Sequence, residues 1–381
     1  MTKRFSLVVL SFFFLIAHCS SAYSQAAVPA STSTLLERTI PAPSLKGNLL
    51  GDPTQQKVYV YLPPGYDTTP TKRFPTLYLL HGFLSSSTVW VTGSYQGLNL
   101  QTLMDELIKS GKVREMIVVS ANGNNSYGGS FYSNSTVTGN WDDFITRDLV
   151  GNIDANYRTI PRAESRGIAG HSMGGYGAVM LGMKHPDVFS ALFALSPCCL
   201  VMEDDMSEAN PAWTKVLSLS SRDQLTRQPT NAAEFYNSVF VALAAAFSPN
   251  PTHAPFYVDF PFETKTGLCS PPASPDTLTT APCVQKVEAP YLKWRSSFPT
   301  YIAEANKANL MKLRGIFIDY GEKEQFVHIR TGVQAFSKAL SVLNVPHQFE
   351  VYPEGDHGSR IRLRMEKRVI EFFNEKLVFE K

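Results

Sequence analysis

The chain has 381 residues, of which 44% are hydrophobic and 18% are charged, and its formal net charge at pH 7 is +2. A chain of this length can bury a substantial core, either as one domain with an insertion or as two domains. The small net charge argues against nucleic acid or an acidic surface as a partner. The composition therefore predicts a soluble, folded protein.

Residues 1–24 have the pattern of a secretory signal peptide. Two basic residues precede an apolar run over residues 5–17, and small and polar residues follow, with cleavage expected within residues 22–27. The apolar run is shorter than the ~20 residues that a membrane-spanning helix needs, so a stable membrane anchor is the weaker interpretation. The pattern predicts a secreted or periplasmic protein.

Residues 25–45 are small and polar at their start and are predicted to form a flexible leader, with the catalytic domain over residues 46–381. Apolar or alternating runs predict strands at 57–62, 76–81, 116–120, 167–170, 191–195, 315–319 and 347–352. Helical periodicity predicts helices at 100–110, 141–156, 175–185, 329–343 and 360–377. This alternation predicts an α/β fold whose mostly parallel sheet has helices on both faces and binds ligands beyond the carboxyl ends of its strands.

The alternation is interrupted between residues 198 and 310, a segment rich in proline and aromatic residues. Helices are predicted within it at 231–247 and 298–313. We interpret the segment as an insertion near the active site. A surface elaboration without a role in function is the alternative.

Residues 170–175, Gly-His-Ser-Met-Gly-Gly, follow a short apolar strand and open a helix. This is the context that a nucleophile elbow requires, with Ser172 as the nucleophile. Side chains at the flanking glycines would collide with neighbouring backbone. The helix N-terminus then favours the negative charge that develops near the serine.

A serine hydroxyl needs a base, which a loop after the last strand would supply. His357 lies in such a loop, within Pro-Glu-Gly-Asp-His-Gly and just before the last helix. Other histidines are less well placed, and His171, next to the nucleophile, is expected to point away from it. The sequence predicts His357 as the catalytic base.

A carboxylate on the loop after the preceding strand should orient the imidazole. Asp319, Glu322 and Glu324 are the candidates. We favour Glu324, because it lies several residues beyond the strand end, where the loop can turn toward His357; Asp319 is the runner-up. Asp356 adjoins His357, and because neighbouring side chains diverge it is expected to be structural.

Two backbone N–H groups should form the oxyanion hole, one after the nucleophile and one after an early strand. Met173 and Phe83 occupy these two positions and are the predicted donors. Leu84 is the alternative if the turn is offset by one residue. Gly82 would let this backbone approach the substrate.

Signal-peptide cleavage would leave Cys198, Cys199, Cys269 and Cys283 in an oxidising compartment. The last two flank a proline-rich segment that a disulfide would constrain. Bridges from Cys198 and Cys199 to these two are the alternative, and the sequence leaves the connectivity open.

Together, the elbow, the His81-Gly-Phe loop and the terminal histidine make the chain similar to an esterase family of the α/β-hydrolase fold. This family includes S-formylglutathione hydrolase, feruloyl esterase domains and the mycolyltransferase antigens. The resemblance is densest at residues 61–66, 79–82, 127–132, 141–144 and 170–176. The family's acid is usually aspartate in a pattern resembling Asp-X-Gly-X-X-Asp-X-Phe; here Asp319, Gly321 and Phe326 match, and Glu324 takes the acidic position.

The resemblance implies that the loop from Tyr127 to Asn134 borders an acyl pocket. Tyr127, Phe131, Tyr132 and Trp141 either line that pocket or belong to the core. The expected function is a serine carboxylesterase acting on small-molecule or carbohydrate-linked esters, feruloyl esters among them, with no cofactor and no metal. An acyltransferase with the same triad and a non-catalytic binding protein are the alternatives.

Overall fold

The computed structural model describes residues 32–265 and 284–380. Their centre is an eight-stranded sheet with the spatial order β1-β2-β4-β3-β5-β6-β7-β8. The first two strands run antiparallel to their neighbours, and the others are parallel. In chain order the strands are Thr34–Pro41 (β1), Gln55–Leu62 (β2), Thr76–Leu80 (β3), Ile117–Ala121 (β4), Arg166–His171 (β5), Ala191–Leu195 (β6), Gly315–Gly321 (β7) and Gln348–Tyr352 (β8).

Helices cover both faces of this sheet, as predicted. The main helices are Leu100–Lys109 (α1), residues 141–156 (α2), Met173–Lys184 (α3), Ala212–Leu217 (α4), Ala232–Phe247 (α5), Glu288–Arg295 (α6), Val327–Val342 (α7) and residues 361–376 (α8). Both α2 and α8 contain a π-helical segment, at Phe144–Leu149 and Met365–Val369. In the described parts of the chain, no helix combines the length and apolar character needed to cross a membrane.

The inner strands form because their side chains are buried on both faces, which explains their nearly continuous apolar sequence. All five residues of β3 and all five of β6 are buried. One apolar cluster packs α1 and α8 against the sheet, and a larger one packs α2, α3 and α7 against the opposite face. The sheet is thus a rigid middle layer that fixes the loops at its carboxyl edge.

The predicted flexible leader over residues 25–45 is wrong for its second half. Residues 34–41 form the edge strand β1, paired in register with β2 from Thr34 opposite Leu62 to Pro41 opposite Gln55. Most β1 side chains are half-buried or exposed, so backbone hydrogen bonds rather than an apolar pattern define the strand. The ordered domain therefore begins before residue 46. The predicted signal peptide lies outside the described residues.

Between β6 and β7, residues 196–314 replace a single strand–helix connection, and we call this segment the insertion. Its predicted helix at 231–247 is observed as α5, which begins after Asn231, whose side chain accepts a hydrogen bond from the Glu234 N–H at 3.0 Å. The continuous helix predicted at 298–313 is instead two short helices, Pro299–Ile302 and Lys307–Leu310. Pro299 is the first residue of the first helix, and Asn306 lies between the two, where its side-chain amide donates to the Ile302 carbonyl at 2.9 Å.

Candidate active site

Ser172 lies between the end of β5 and the start of α3, in a backbone conformation that side chains rarely adopt. Its φ is 57° and its ψ is −117°, a combination that costs energy and persists only where the surroundings impose it. A Cβ atom at Gly170 would lie 2.2 Å from the Gly174 carbonyl oxygen, and one at Gly174 would lie 2.2 Å from the Leu80 carbonyl oxygen. Both glycines are therefore required for the sharp turn that presents Ser172.

His357 and Glu324 are in direct contact. His357 Nδ1 lies 2.8 Å from Glu324 Oε2, and the Glu324 side chain is fully buried. An ionised carboxylate can only accept hydrogen bonds, so Nδ1 carries the proton and Nε2 is left with a lone pair. The other carboxylate oxygen of Glu324 accepts the Phe326 N–H at 3.1 Å. This arrangement is the one that a base oriented by a buried acid would require.

Two loops from separate strands hold this pair together. A Cβ atom at Gly321 would lie 2.2 Å from the Gly355 carbonyl oxygen, so the loops approach as closely as backbones can. The Lys323 N–H donates to the same carbonyl at 2.7 Å. The His357 N–H donates to Gln325 Oε1 at 3.0 Å. The sequence analysis did not single out Gln325, because nothing local marks a glutamine that acts on a residue 32 positions away.

The other carboxylates considered as the acid have different partners. Asp319 is fully buried and pairs with the guanidinium of Arg364, whose Nε lies 3.0 Å from Oδ2. Burial raises the pKa of Asp319 to about 6, although Arg364 opposes this shift. Glu322 is exposed and accepts the Glu354 N–H at 3.1 Å. Asp356 Oδ1 accepts N–H groups of its own turn. Of these groups, only Glu324 meets His357.

The loop after β3 brings backbone donors beside the serine. A Cβ atom at Gly82 would lie 3.4 Å from Ser172 Cβ. The Leu84 N–H is already bonded to the Gly128 carbonyl at 2.8 Å, whereas within the described residues the Phe83 N–H has no acceptor. Met173 is the first residue of α3, where N–H groups have no partner within the helix. Phe83 and Met173 are thus the free donors, and Leu84 is not.

Two buried side chains fix this loop. His81 Nε2 accepts the Gly123 N–H at 2.8 Å, and Nδ1 donates to the Gly82 carbonyl at 2.8 Å. Burial lowers the pKa of His81 to about 4, so the ring is neutral. The Tyr132 hydroxyl donates to the His81 carbonyl at 2.9 Å. The hydrogen bonds to the His81 ring, the Gly82 carbonyl and the His81 carbonyl therefore fix the backbone around Gly82.

His171 supports the loop of the base. Its Nε2 donates to the His357 carbonyl at 2.8 Å, and the Tyr95 hydroxyl lies 3.1 Å from its Nδ1. The two imidazole rings are 4.7 Å apart. Burial, together with the nearby His357, lowers the pKa of His171 to about 3. The position of His171 beside the nucleophile was visible in the sequence, but its contact with a residue 186 positions away was not.

Ser172 and His357 open onto one narrow cavity of about 300 Å³, including its mouth. Its walls are largely aromatic and sulfur-bearing, and among the lining residues are Phe83, Phe131, Cys198, Cys199, Phe235, Phe326 and His328. Of the four aromatics considered for the pocket, Phe131 lines the cavity. Tyr127, Tyr132 and Trp141 belong to the core, where the Tyr127 hydroxyl donates to the Phe256 carbonyl at 2.7 Å.

Cys198 and Cys199 are buried free thiols with their sulfur atoms 2.8 Å apart. Across the described residues, no disulfide is present at bond distance. Cys269 and Cys283 lie outside the described residues. The bridge between them therefore stays a prediction.

Comparisons with known proteins agree with this fold. The solved structure of a ferulic acid esterase superposes with a TM-score of 0.58 at 21% identity, covering 91% of this chain and 99% of that one. An S-formylglutathione hydrolase from Agrobacterium tumefaciens superposes with a TM-score of 0.55 at 16% identity, covering 92% of this chain and 97% of that one. Together with the sheet order and the elbow, these likenesses show the α/β-hydrolase fold.

Sequence relatives match part of the chain. An endo-1,4-beta-xylanase/feruloyl esterase of Xylanibacter ruminicola is 34% identical over 139 residues, which is 35% of this chain and 18% of that protein. An esterase of Mycobacterium tuberculosis is 33% identical over 138 residues, 35% of this chain and 27% of that protein. The chain thus spans less than a third of the length of these relatives.

The model of the family Esterase, described as "Putative esterase", matches residues 53–361. Because this match covers well over half of the sequence, the chain belongs to the Esterase family.

Proposed function

We propose that this protein is a serine carboxylesterase that hydrolyses esters through an acyl-enzyme intermediate. The observation that carries the proposal is the contact of 2.8 Å between His357 Nδ1 and Glu324 Oε2 at a cavity that Ser172 also lines. Family membership and the esterase names of the relatives support the same reaction class.

In the first step, Ser172 Oγ attacks the ester carbonyl carbon, and His357 Nε2 takes the hydroxyl proton. Glu324 keeps the imidazole in the required tautomer and stabilises its protonated form. The carbonyl oxygen becomes an oxyanion, which accepts hydrogen bonds from the Met173 and Phe83 N–H groups. Each such donor is typically worth about 3 kcal/mol in the transition state.

Collapse of the tetrahedral intermediate breaks the ester C–O bond. His357 returns its proton to the leaving alcohol, and the acyl group remains on Ser172. Water then enters, gives its proton to His357 and attacks the acyl carbon, so that the acid is released and Ser172 is restored. Apart from the ester and water, these steps use only the side chains and backbone N–H groups named here.

We further propose that the substrate carries an aromatic acyl group, such as the feruloyl group of a plant carbohydrate ester. The cavity is lined by four phenylalanines, and aromatic rings pack favourably against one another at centroid separations of about 4.5–7 Å. The remaining lining is also largely apolar, as is usual for a site that takes an uncharged organic group. The Xylanibacter ruminicola relative is named as a feruloyl esterase, which supports the same acyl group.

The decisive experiment compares the wild-type protein with Ser172→Ala on acetyl, octanoyl and cinnamoyl esters. Loss of the nucleophile can cost about a million-fold in turnover, so the variant should fall to background. The exposed Ser218→Ala is the matched control and should keep wild-type rates. Turnover that survives in Ser172→Ala would rule the elbow out as the reaction centre. Product esters formed with added glycerol would identify an acyltransferase instead.

Export to the periplasm or the medium is also part of the proposal, supported by the basic and apolar pattern of residues 1–24. Cell fractionation followed by N-terminal sequencing tests it. We expect the mature chain to begin within residues 23–28, and a cytoplasmic protein that retains Met1 would contradict it.

A further inference from the structure

A second histidine–carboxylate pair borders the cavity, outside the proposed catalytic groups. His328, near the start of α7, places Nδ1 2.7 Å from Asp205 Oδ1, and its backbone N–H donates to the same oxygen at 2.8 Å. Asp205 comes from the insertion, and its other carboxylate oxygen accepts a hydrogen bond from the Tyr236 hydroxyl. Asp205 is therefore held by the Tyr236 hydroxyl and the His328 backbone, and it fixes the orientation of the His328 ring through Nδ1.

The opposite edge of this imidazole has no partner. His328 Nε2 is fully buried, and within the described part of the chain it makes no hydrogen bond. The whole residue is only 2% exposed, yet it lines the same cavity as Ser172 and His357. A buried polar atom without a partner is unfavourable and needs an explanation, and a ligand group is one.

The tautomer of His328 determines which kind of ligand group can form a hydrogen bond with Nε2. Burial alone would raise the pKa of Asp205, but the hydrogen bonds from His328 and Tyr236 lower it to about 2. The ionised carboxylate accepts, so His328 Nδ1 carries a proton, and in the neutral form of an imidazole held this way Nε2 is an acceptor. The ligand atom that fits must donate a hydrogen bond, as a hydroxyl group does.

The pair borders the same cavity as His357. The Phe326 ring packs against both imidazoles, with its centroid 4.8 Å from the His357 ring and 6.0 Å from the His328 ring. Phe83 and Phe235, in edge-to-face contact at 5.9 Å, also line this cavity. An acyl group whose carbonyl meets Ser172 would therefore enter the cavity that His328 lines.

We propose that His328, held by Asp205, is a specificity-determining subsite that accepts a hydrogen bond from a hydroxyl group on the ring of an aryl acyl group. This inference rests on the proposed esterase function and deepens it. A 4-hydroxycinnamoyl ester presents the required donor, an unsubstituted cinnamoyl ester lacks it, and a 4-methoxycinnamoyl ester has an acceptor in its place. Of the three, the 4-hydroxy ester is the preferred substrate.

The test measures kcat/KM for the methyl esters of these three acids, on the wild type and on His328→Phe. The variant keeps an aromatic ring of similar size and removes both nitrogen atoms. In the wild type we expect the 4-hydroxy ester to be preferred over cinnamate by roughly tenfold or more, the usual effect of one buried hydrogen bond. In His328→Phe this ratio should approach one, while cinnamate hydrolysis continues. Val239→Ala, an apolar change in the same cavity wall, should leave the ratio unaltered.

Equal wild-type kcat/KM values for the three esters would overturn the subsite, even if His328→Phe does not fold. So would an undiminished ratio in the variant. Binding of the free acids to Ser172→Ala, measured by calorimetry, separates this failure from failure of the esterase function. Tighter binding of 4-hydroxycinnamate than of cinnamate supports the subsite even if no ester is hydrolysed, and equal binding refutes it.

Discussion

The carboxyl edge of the sheet and the insertion that borders it are built by different means. At the edge, backbone contacts fix the geometry: Gly174 lies against Leu80, Gly321 lies against Gly355, and Ser172 holds a strained conformation between strand and helix. In the insertion, packing between large side chains fixes the geometry. Trp213 stacks on Phe240 with 4.0 Å between ring centroids and an angle of 3° between the planes.

This difference separates two tasks. Backbone-built loops place the reacting groups with little tolerance, because no side chain can be added at those glycines without moving main chain. Packed side chains can be exchanged for others of similar volume at a smaller cost. The carboxyl edge therefore suits the reaction, whereas the insertion suits the choice of substrate. If this division is correct, changes in the two regions should affect different measured quantities.

Beyond removal of Ser172 itself, the largest effect is expected for Glu324→Gln. The amide can donate to His357 Nδ1, which favours the wrong tautomer, and it cannot stabilise the imidazolium; such a change costs roughly 10⁴-fold in kcat. Glu322→Gln, which changes an exposed residue two positions earlier on the same loop, is the matched control and should keep wild-type kcat. The measurement is steady-state hydrolysis of an acetyl ester, with circular dichroism to check the fold.

Asp319→Asn distinguishes the runner-up acid from a structural ion pair. Because Asp319 pairs with Arg364 in the core, its loss should lower the free energy of unfolding by about 3–5 kcal/mol. The folded fraction should retain most of its kcat. A folded Asp319→Asn protein with 10⁴-fold lower kcat, beside an active Glu324→Gln, would reverse the assignment.

The second largest effect is expected in the insertion. Trp213 is 1% exposed, and its indole N–H donates to the Ser207 carbonyl at 2.9 Å. Trp213→Ala should lower the free energy of unfolding by about 3–5 kcal/mol, since it removes a large buried ring and leaves a cavity. Urea denaturation measures this change. The exposed Leu292→Ala should stay within about 0.5 kcal/mol of the wild type.

The same variant tests the division of tasks. Below its unfolding transition, Trp213→Ala should hydrolyse an acetyl ester within a few-fold of the wild-type kcat, while kcat/KM for a cinnamoyl ester changes more. An equal loss on both esters would mean that the insertion also positions the reacting groups.

The smallest effect concerns pH. The folded protein holds the pKa of His171 at about 3, below the ordinary value of about 6.5 in an unfolded chain. Between these values the unfolded state binds the extra proton, so stability is full above pH 6.5 and falls as the pH is lowered toward 3. His171→Gln should reduce the slope of unfolding free energy against pH by up to ~1.4 kcal/mol per pH unit. A wild-type slope in His171→Gln would show that this ring is not held neutral.

Much of the site could be predicted because its signals are local. The glycines around Ser172 mark a sharp turn within six residues, and His357 lies in a turn between the last strand and the last helix. The strands of the inner sheet are similarly evident, because burial on both faces demands continuous apolar runs. The residues themselves therefore determined the fold class, the nucleophile candidate and the base candidate.

Other features depend on residues far apart in the chain, and only the tertiary structure decided them. Which of Asp319, Glu322 and Glu324 contacts His357 follows from the approach of Gly321 to Gly355 and from Arg364 on the last helix. The edge strand β1 exists because β2 offers its backbone groups, which no local pattern encodes. The unpartnered Nε2 of His328 depends on Asp205, 123 residues away. Local sequence fixes the conformations available to a segment, but hydrogen bonds and ion pairs between distant segments select which side chains meet.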